Sequence, residues 1–220
     1  MLLLGLIPIP VESIQYMNNL KLRLFRFFCV VFVGVLADLG TKAWIFNRLG
    51  APGAMDTWWL IPNVFGFQTS LNQGALFGIG QGKIVLFVIF SVVAITGIMA
   101  WIVFDKRKSL YITLTLGMIT AGILGNLWDR LGLHQLKWTP FDAWTGQCTA
   151  EMVGTRVHAV RDWILVMIGS YHWPNFNIAD SLLVCGAILI FIYAWIWGDP
   201  FTVEKLKTES SEQTGQTEQN

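Results

Sequence analysis

The chain has 220 residues, 54% of them hydrophobic and 13% charged, and a formal net charge of +1. That balance excludes an ordinary soluble domain, in which about a quarter of the residues are charged. It also excludes a nucleic-acid surface, which needs a basic excess absent here.

Residues 1–20 open with an apolar stretch broken by Pro8 and Pro10. It lacks the basic leader and small-residue cleavage site of a signal peptide, so these residues read as an N-terminal extension. A bilayer core needs about 20 apolar residues per helix. Four segments meet or approach that length: residues 24–46, 84–104, 110–128 and 181–197. The last is stopped by Gly198-Asp199-Pro200, a helix-ending cluster. Eleven Trp and fifteen Phe suit a protein with aromatic side chains at membrane interfaces.

The basic residues set an orientation. Lys21, Arg23 and Arg26 precede the first segment, Lys106, Arg107 and Lys108 lie between the second and third, and Lys205 and Lys207 follow the fourth. With four spans, all three groups fall on one side, which the positive-inside rule makes cytoplasmic. Arg130, Lys137, Arg156 and Arg161 lie in the opposite loop and run against the rule. The long connections 47–83 and 130–179 are then outside. In the first, Val64, Phe65, Phe67 and Thr69 near Gly and Pro turns indicate short strands. Residues 201–220 form a polar, disordered cytoplasmic tail on this reading.

Several polar residues at membrane depth need a partner or a task. Asp38 and Lys42 are spaced i, i+4 and share a helix face, as a local ion pair or as a brace for a site. Asn72-Gln73-Gly74-Ala75 reads as a turn. Asn126, Asp129 and Arg130, at i, i+3 and i+4, gather on one face where the third segment ends. For Asp129 the expectation is a structural pair with its neighbour Arg130. Arg130 and Asn126 are open to holding a substrate backbone. Asp162 and Asp180 stand 18 residues apart at the rim of the last segment. Their ordinary roles are an ion pair of Asp162 with Arg161, and helix capping by Asn177 or Asp180. Two converging carboxylates can instead share one proton and activate a water.

His134, His158 and His172 show no zinc-binding spacing and read as solvated loop residues. Cys29, Cys148 and Cys185 show no metal or redox spacing. Cys29 and Cys185 read as small packing residues, and Cys148 as a lone exposed loop thiol.

Taken in order, Asp38-Leu-Gly-Thr-Lys42, Asn72-Gln-Gly-Ala-Leu-Phe77, Gly125-Asn-Leu-Trp-Asp-Arg130, Val160-Arg-Asp162-Trp and Phe176-Asn-Ile-Ala-Asp180 resemble signal peptidase II, the bacterial lipoprotein signal peptidases. The resemblance covers about residues 24–198. It implies an aspartic endopeptidase of the bacterial inner membrane that cuts prolipoproteins before a diacylglyceryl-modified cysteine, working as a monomer in lipid without a metal or other cofactor. It implies that Asp162 and Asp180 are catalytic. Asp38, Lys42, Asn72, Gly74, Asn126, Asp129, Arg130 and Asn177 would bind substrate or support the site. The expected fold is a membrane all-α protein: four transmembrane helices with a small extracytoplasmic β-rich platform, in a peptidase domain over residues 21–200.

The chain departs from the family pattern twice. Trp163 stands where the family commonly has Phe, and Arg130 and Asp162 are 32 residues apart, so residues 133–160 read as an extracytoplasmic insertion. The insertion makes Asp142 a rival to Asp162. Val160 and Trp163 flank Asp162 in the family manner, and Asp142 lacks such flanks. Two other classes remain open at this stage. One is a small transporter with Asp38, Asp129, Asp162 and Asp180 along a polar path, and the other is a non-enzymatic scaffold that uses these acids as caps and ion pairs.

Overall fold

A computed structural model describes residues 11–74, 83–104 and 109–198, with side chains from residue 19 onward. Residues 1–10, the 201–220 tail, the Lys106–Lys108 cluster and the Ala75–Phe77 end of the second motif lie outside the described residues.

The fold is mostly helical, with one small sheet. Among the described residues the helices are α1 (Val11–Leu49), α2 (Ile84–Phe104), α3 (Leu110–Arg130), α4 (Pro140–Trp144) and α5 (Ile178–Trp197). Three of them, α2, α3 and α5, are long and apolar enough to cross a membrane. The charges on α1 (Glu12, Lys21, Arg23, Arg26, Asp38, Lys42 and Arg48) set it apart. It is also longer than the 24–46 segment read from hydropathy, and runs unbroken into residues assigned to the N-terminal extension. Side chains on α2 such as Val85, Ile89 and Phe90 are exposed, the pattern of a helix whose solvent is lipid rather than water.

Helices without a hydrophobic drive between them associate through close approach of small residues. Here α3 meets α5 through Gly122 and Gly125, one turn apart. A Cβ at Gly122 would strike the Ala179 carbonyl and Leu183, and one at Gly125 would strike the Asp38 carboxylate. This contact draws α1, α3 and α5 together at the end of the bundle where the motifs lie. At the other end, Phe27, Val31, Ile102, Ile112 and Leu116 form the helical core.

The sheet has four antiparallel strands in the order β1 (Trp58–Ile61), β2 (Phe65–Asn72), β3 (Val160–Ile168) and β4 (Tyr171–Phe176). The sequence reading anticipated β2, where Phe65, Phe67 and Thr69 lie; it missed β1, and it missed β3 and β4. Their signal is a β-hairpin around Gly169-Ser170, where Gly169 adopts φ 63° between two aliphatic and aromatic runs. Pro174 is tolerated because β4 is an edge strand. The sheet packs on the end of α1: Ile45, Phe46 and Leu49 join Leu71, Trp163 and Ile164 in one core. Trp163, in place of the family's Phe, is buried and sits edge-on to Phe67 at 5.2 Å.

The insertion is built into this core. Trp138 and Val157, 3% and 1% exposed, pack in the same cluster, and Lys137 and Arg156 form a β-bridge at its neck. It contains α4 and a 3-10 turn, Ala150–Met152. Val160, its last residue by sequence, is already strand and pairs with Asn72.

Candidate active site

Four elements converge where α3 ends and α5 begins. Asp162 is on β3, paired with Ser70 of β2 and 2% exposed. Successive strand residues face opposite sides, so Arg161 points away from Asp162. It reaches Asp129, with Nε 3.0 Å and Nη2 2.8 Å from Oδ1, while its backbone N–H donates to Oδ2 at 3.0 Å. Two expectations are corrected by this arrangement. Asp162 forms no ion pair with Arg161, and Asp129 pairs with Arg161 rather than with its chain neighbour Arg130.

Asp129 also lies 3.2 Å from Lys42 Nζ, which is 2.7 Å from Asp38. Asp38, Lys42 and Asp129 are each 0% exposed. The i, i+4 pair read from the sequence is therefore one half of a four-membered chain of alternating charges. Buried charges are tolerable only when paired and hydrogen-bonded in this way. The second Asp38 oxygen accepts the Ala179 backbone N–H at 2.9 Å, pinning the first turn of α5 to α1.

Asparagines connect this chain to the other two acids. Lys42 Nζ donates to Asn126 Oδ1 at 3.1 Å, which fixes the amide so that its Nδ2 donates to Asp180 Oδ1 at 2.8 Å. Asn177 is the N-cap of α5 and forms a capping box with Asp180. The capping reading is thus correct, yet both residues do more. Asn177 Nδ2 also donates to Asp162 Oδ1 at 2.6 Å and to Asn126 Oδ1 at 3.2 Å. Asn72 Nδ2 donates to the other Asp162 oxygen at 3.1 Å, and its own Oδ1 receives the Gly74 N–H at 2.9 Å. Arg130 Nη2 donates to the Gly74 carbonyl at 3.1 Å, and its guanidinium lies over the Phe87 ring at 4.8 Å. Every site residue singled out from the sequence is in this network.

Asp162 and Asp180 are held by neutral amides, and among the described residues neither forms a salt bridge. Burial and the Asp180 charge push the Asp162 carboxyl up to about 8, against hydrogen bonds from Asn72 and Asn177 and the charge of Lys42. Such a pair retains a proton near neutral pH. Both acids border a cavity of about 870 Å³, together with Asn72, Asn126 and Arg130. Arg130, Asn126 and Asp180 also border a second hollow of about 450 Å³, otherwise lined mainly by apolar side chains of α2 and α5.

Asp142 is elsewhere. Its carboxylate accepts from the Thr139 N–H and hydroxyl at the start of α4, a capping box. The histidines are dispersed: His134 Nδ1 accepts from Leu136 N, His158 Nδ1 lies 3.0 Å from the Arg130 carbonyl, and His172 borders the large cavity. Among the described residues, no three His, Cys, Asp or Glu side chains are grouped to hold a metal. Cys29 and Cys185 are exposed on their helices, not packing residues as expected, and Cys148 is a half-buried free thiol in the cavity wall.

Comparison with known proteins follows the same lines. The family model described as signal peptidase (SPase) II matches residues 30–196. The lipoprotein signal peptidase of Rhodopirellula baltica is 42% identical over 175 residues, covering 79% of this chain and 73% of that protein. That of Clostridium novyi is 29% identical, covering 74% of this chain and 93% of the relative. A solved structure described as a bacterial membrane enzyme, determined in meso at 1.9 Å resolution, is similar with a TM-score of 0.57 and 28% identity, over 78% of this chain and 92% of that one. A second, at 2.3 Å resolution, gives 0.59 and 25%, over 81% and 94%. With the motifs, the fold and these relatives in agreement over most of its length, the chain belongs to the signal peptidase II family.

Proposed function

We propose that Asp162 and Asp180 are the catalytic acids of a peptidase that removes the signal peptide from prolipoproteins, just before a diacylglyceryl-modified cysteine. The observation that carries this is the contrast in their surroundings. Both acids open onto the cavity and, among the described residues, are hydrogen-bonded only to amides, so one proton can stay on the pair. Asp162, held protonated, polarises the scissile carbonyl. Asp180, ionised, takes a proton from the attacking water. Attack yields a tetrahedral intermediate without an acyl-enzyme, and proton return to the leaving amine completes the cut. Asn126 and Asn177 keep the two carboxylates aimed, and Arg130, tied to the Gly74 carbonyl, borders the space where the substrate backbone lies.

We further place the chain in the bacterial inner membrane with four spans, α1 being the fourth despite its charges, because Asp38 and Lys42 neutralise each other inside the bundle. Both chain ends then face the cytoplasm, and the sheet and insertion lie outside. The substrate's acyl chains stay in lipid beside the apolar hollow. Residues 21–200 act as one peptidase domain, flanked by the extension 1–20 and the tail 201–220. One chain supplies both acids, which suits a monomer. The transporter and scaffold readings lose their support, because Asp38 and Asp129 are shut inside ion pairs and do not continue a path from the cavity.

The test is cleavage by purified protein in lipid of a diacylglyceryl-modified prolipoprotein and of its unlipidated form. Wild type is expected to cut the lipidated one alone. Asp162→Asn and Asp180→Asn should be folded and inactive, and Asp142→Asn active. Activity that survives at 162 and is lost at 142 in a folded variant would overturn the assignment.

A further inference from the structure

The large cavity and the apolar hollow share Asn126, Arg130 and Asp180, so they meet at the catalytic acids. They differ in chemistry. The hollow is walled by Phe87, Phe90, Ala94, Leu183 and Val184, which suits lipid-soluble substrate. The large cavity is polar: β2 and β4 form one part of its wall, and residues 145–149 and Met152 of the insertion form another. A lipoprotein precursor has the same asymmetry, with an apolar signal sequence before the cut and a water-soluble chain after it.

The insertion's contribution to this wall is a built element. Its neck is buried in the platform core through Trp138 and Val157. At its tip, the Gln147 and Cys148 N–H groups both donate to the Asp142 carbonyl, at 2.8 and 3.3 Å. The tip is then tied across to the end of β2, beside the site: Gln73 Nε2 donates to the Gln147 carbonyl at 2.6 Å. Its side chains here are Thr145, Gln147, Cys148 and Thr149, none of them charged. On β4, Asn175 spends its Nδ2 on the Gln68 carbonyl and side chain, and its buried Oδ1 has no hydrogen-bond partner. Such an acceptor is expensive to leave unsatisfied and suits a peptide N–H.

We propose that the tip of the insertion is a specificity wall for the mature lipoprotein, binding its first residues after the modified cysteine in extended form between residues 145–149 and β4. This rests on the peptidase reading above. The expected ligand is an uncharged, polar peptide segment, since the tip offers carbonyls and hydroxyls and no counter-charge. Acidic or basic residues directly after the modified cysteine should therefore be disfavoured.

The three free cysteines make the test direct. Diacylglyceryl-modified prolipoproteins carrying a pyridyl disulfide at mature position 3 or 4, or at the matching distance inside the signal segment, are mixed with full-length Asp180→Asn protein. Thiol–disulfide exchange joins enzyme and substrate and releases pyridinethione, and mass spectrometry locates the join. The mature-side probes should join Cys148, Cys148→Ser should abolish that join, and signal-side probes should leave Cys148 untouched. Cys148 joined from the signal side, or from neither side, would overturn the proposal. Cleavage of the same substrates by wild type separates this failure from failure of the peptidase reading. As a second arm, kcat/KM is compared for full substrate and for one ending at the modified cysteine amide. Gln73→Ala, which frees the tip, should shrink the advantage of the full substrate about tenfold, and an unchanged ratio would count against the wall.

Discussion

Two groups of aspartates sit at the same end of the helices, and they are treated in opposite ways. Asp38 and Asp129 are closed in by Lys42 and Arg161, with no exposed surface. Asp162 and Asp180 are held by Asn72, Asn126 and Asn177 and face a cavity. A cation beside a buried carboxylate ties it into an ion pair and closes it off from other partners. An amide positions a carboxylate without a full opposing charge. The difference teaches how a protein separates acids that hold helices together from acids left open to a cavity.

The largest expected effect sharpens this division from the amide-held side. Asp162→Asn should lower kcat/KM by at least about a thousandfold, because a general acid–base group is lost. Its thermal midpoint in detergent should be equal to or above that of wild type at pH 8. From the cation-held side, Asp129→Asn removes the shared partner of Arg161 and Lys42. Breaking a buried pair costs about 3–5 kcal/mol, so this variant should lose stability in chemical unfolding before any kinetic defect is measurable. A large kinetic loss in Asp129→Asn at full stability would break the comparison.

Gly125→Ala comes next. It pushes a methyl group against the Asp38 carboxylate and should cost about 1–3 kcal/mol, as overpacking does. Stability should also vary with pH through Asp162. Its carboxyl sits at about 8 when folded and near the ordinary 3.8 when unfolded, so the folded chain binds more protons between those values. Stability from this group is present in full below about 4 and is lost as pH rises through about 8. Thermal melts of wild type and Asp162→Asn across this range should show a downward slope in wild type that the variant lacks. The smallest effect is Asn72→Ala. The Asn72 hydrogen bond favours ionised Asp162, so its loss should move the alkaline limb of the pH–rate profile upward.

Much of this was legible in the sequence, because membrane helices announce themselves by length and hydropathy, and the motif residues lie at helix ends where pattern is strong. The α2 boundaries read from hydropathy match the observed helix. What was hidden was long-range pairing. Reading Val160–Ile168 as a strand would have turned Arg161 away from Asp162, but its buried, non-alternating run resembles any apolar segment. Arg161 and Asp129 are 32 positions apart, and nothing local signals their contact. Likewise, Trp138 and Val157 look like loop residues until the platform core they enter is seen.

The central claim is that the amide-held pair keeps a proton near neutral pH, and infrared difference spectroscopy tests it most directly. The carbonyl band of a protonated carboxylic acid should be present in wild type at pH 6 and fade as pH passes about 8. It should be missing from Asp162→Asn. A wild-type spectrum without that band at pH 6, or one in which the band survives Asp162→Asn, would contradict the account.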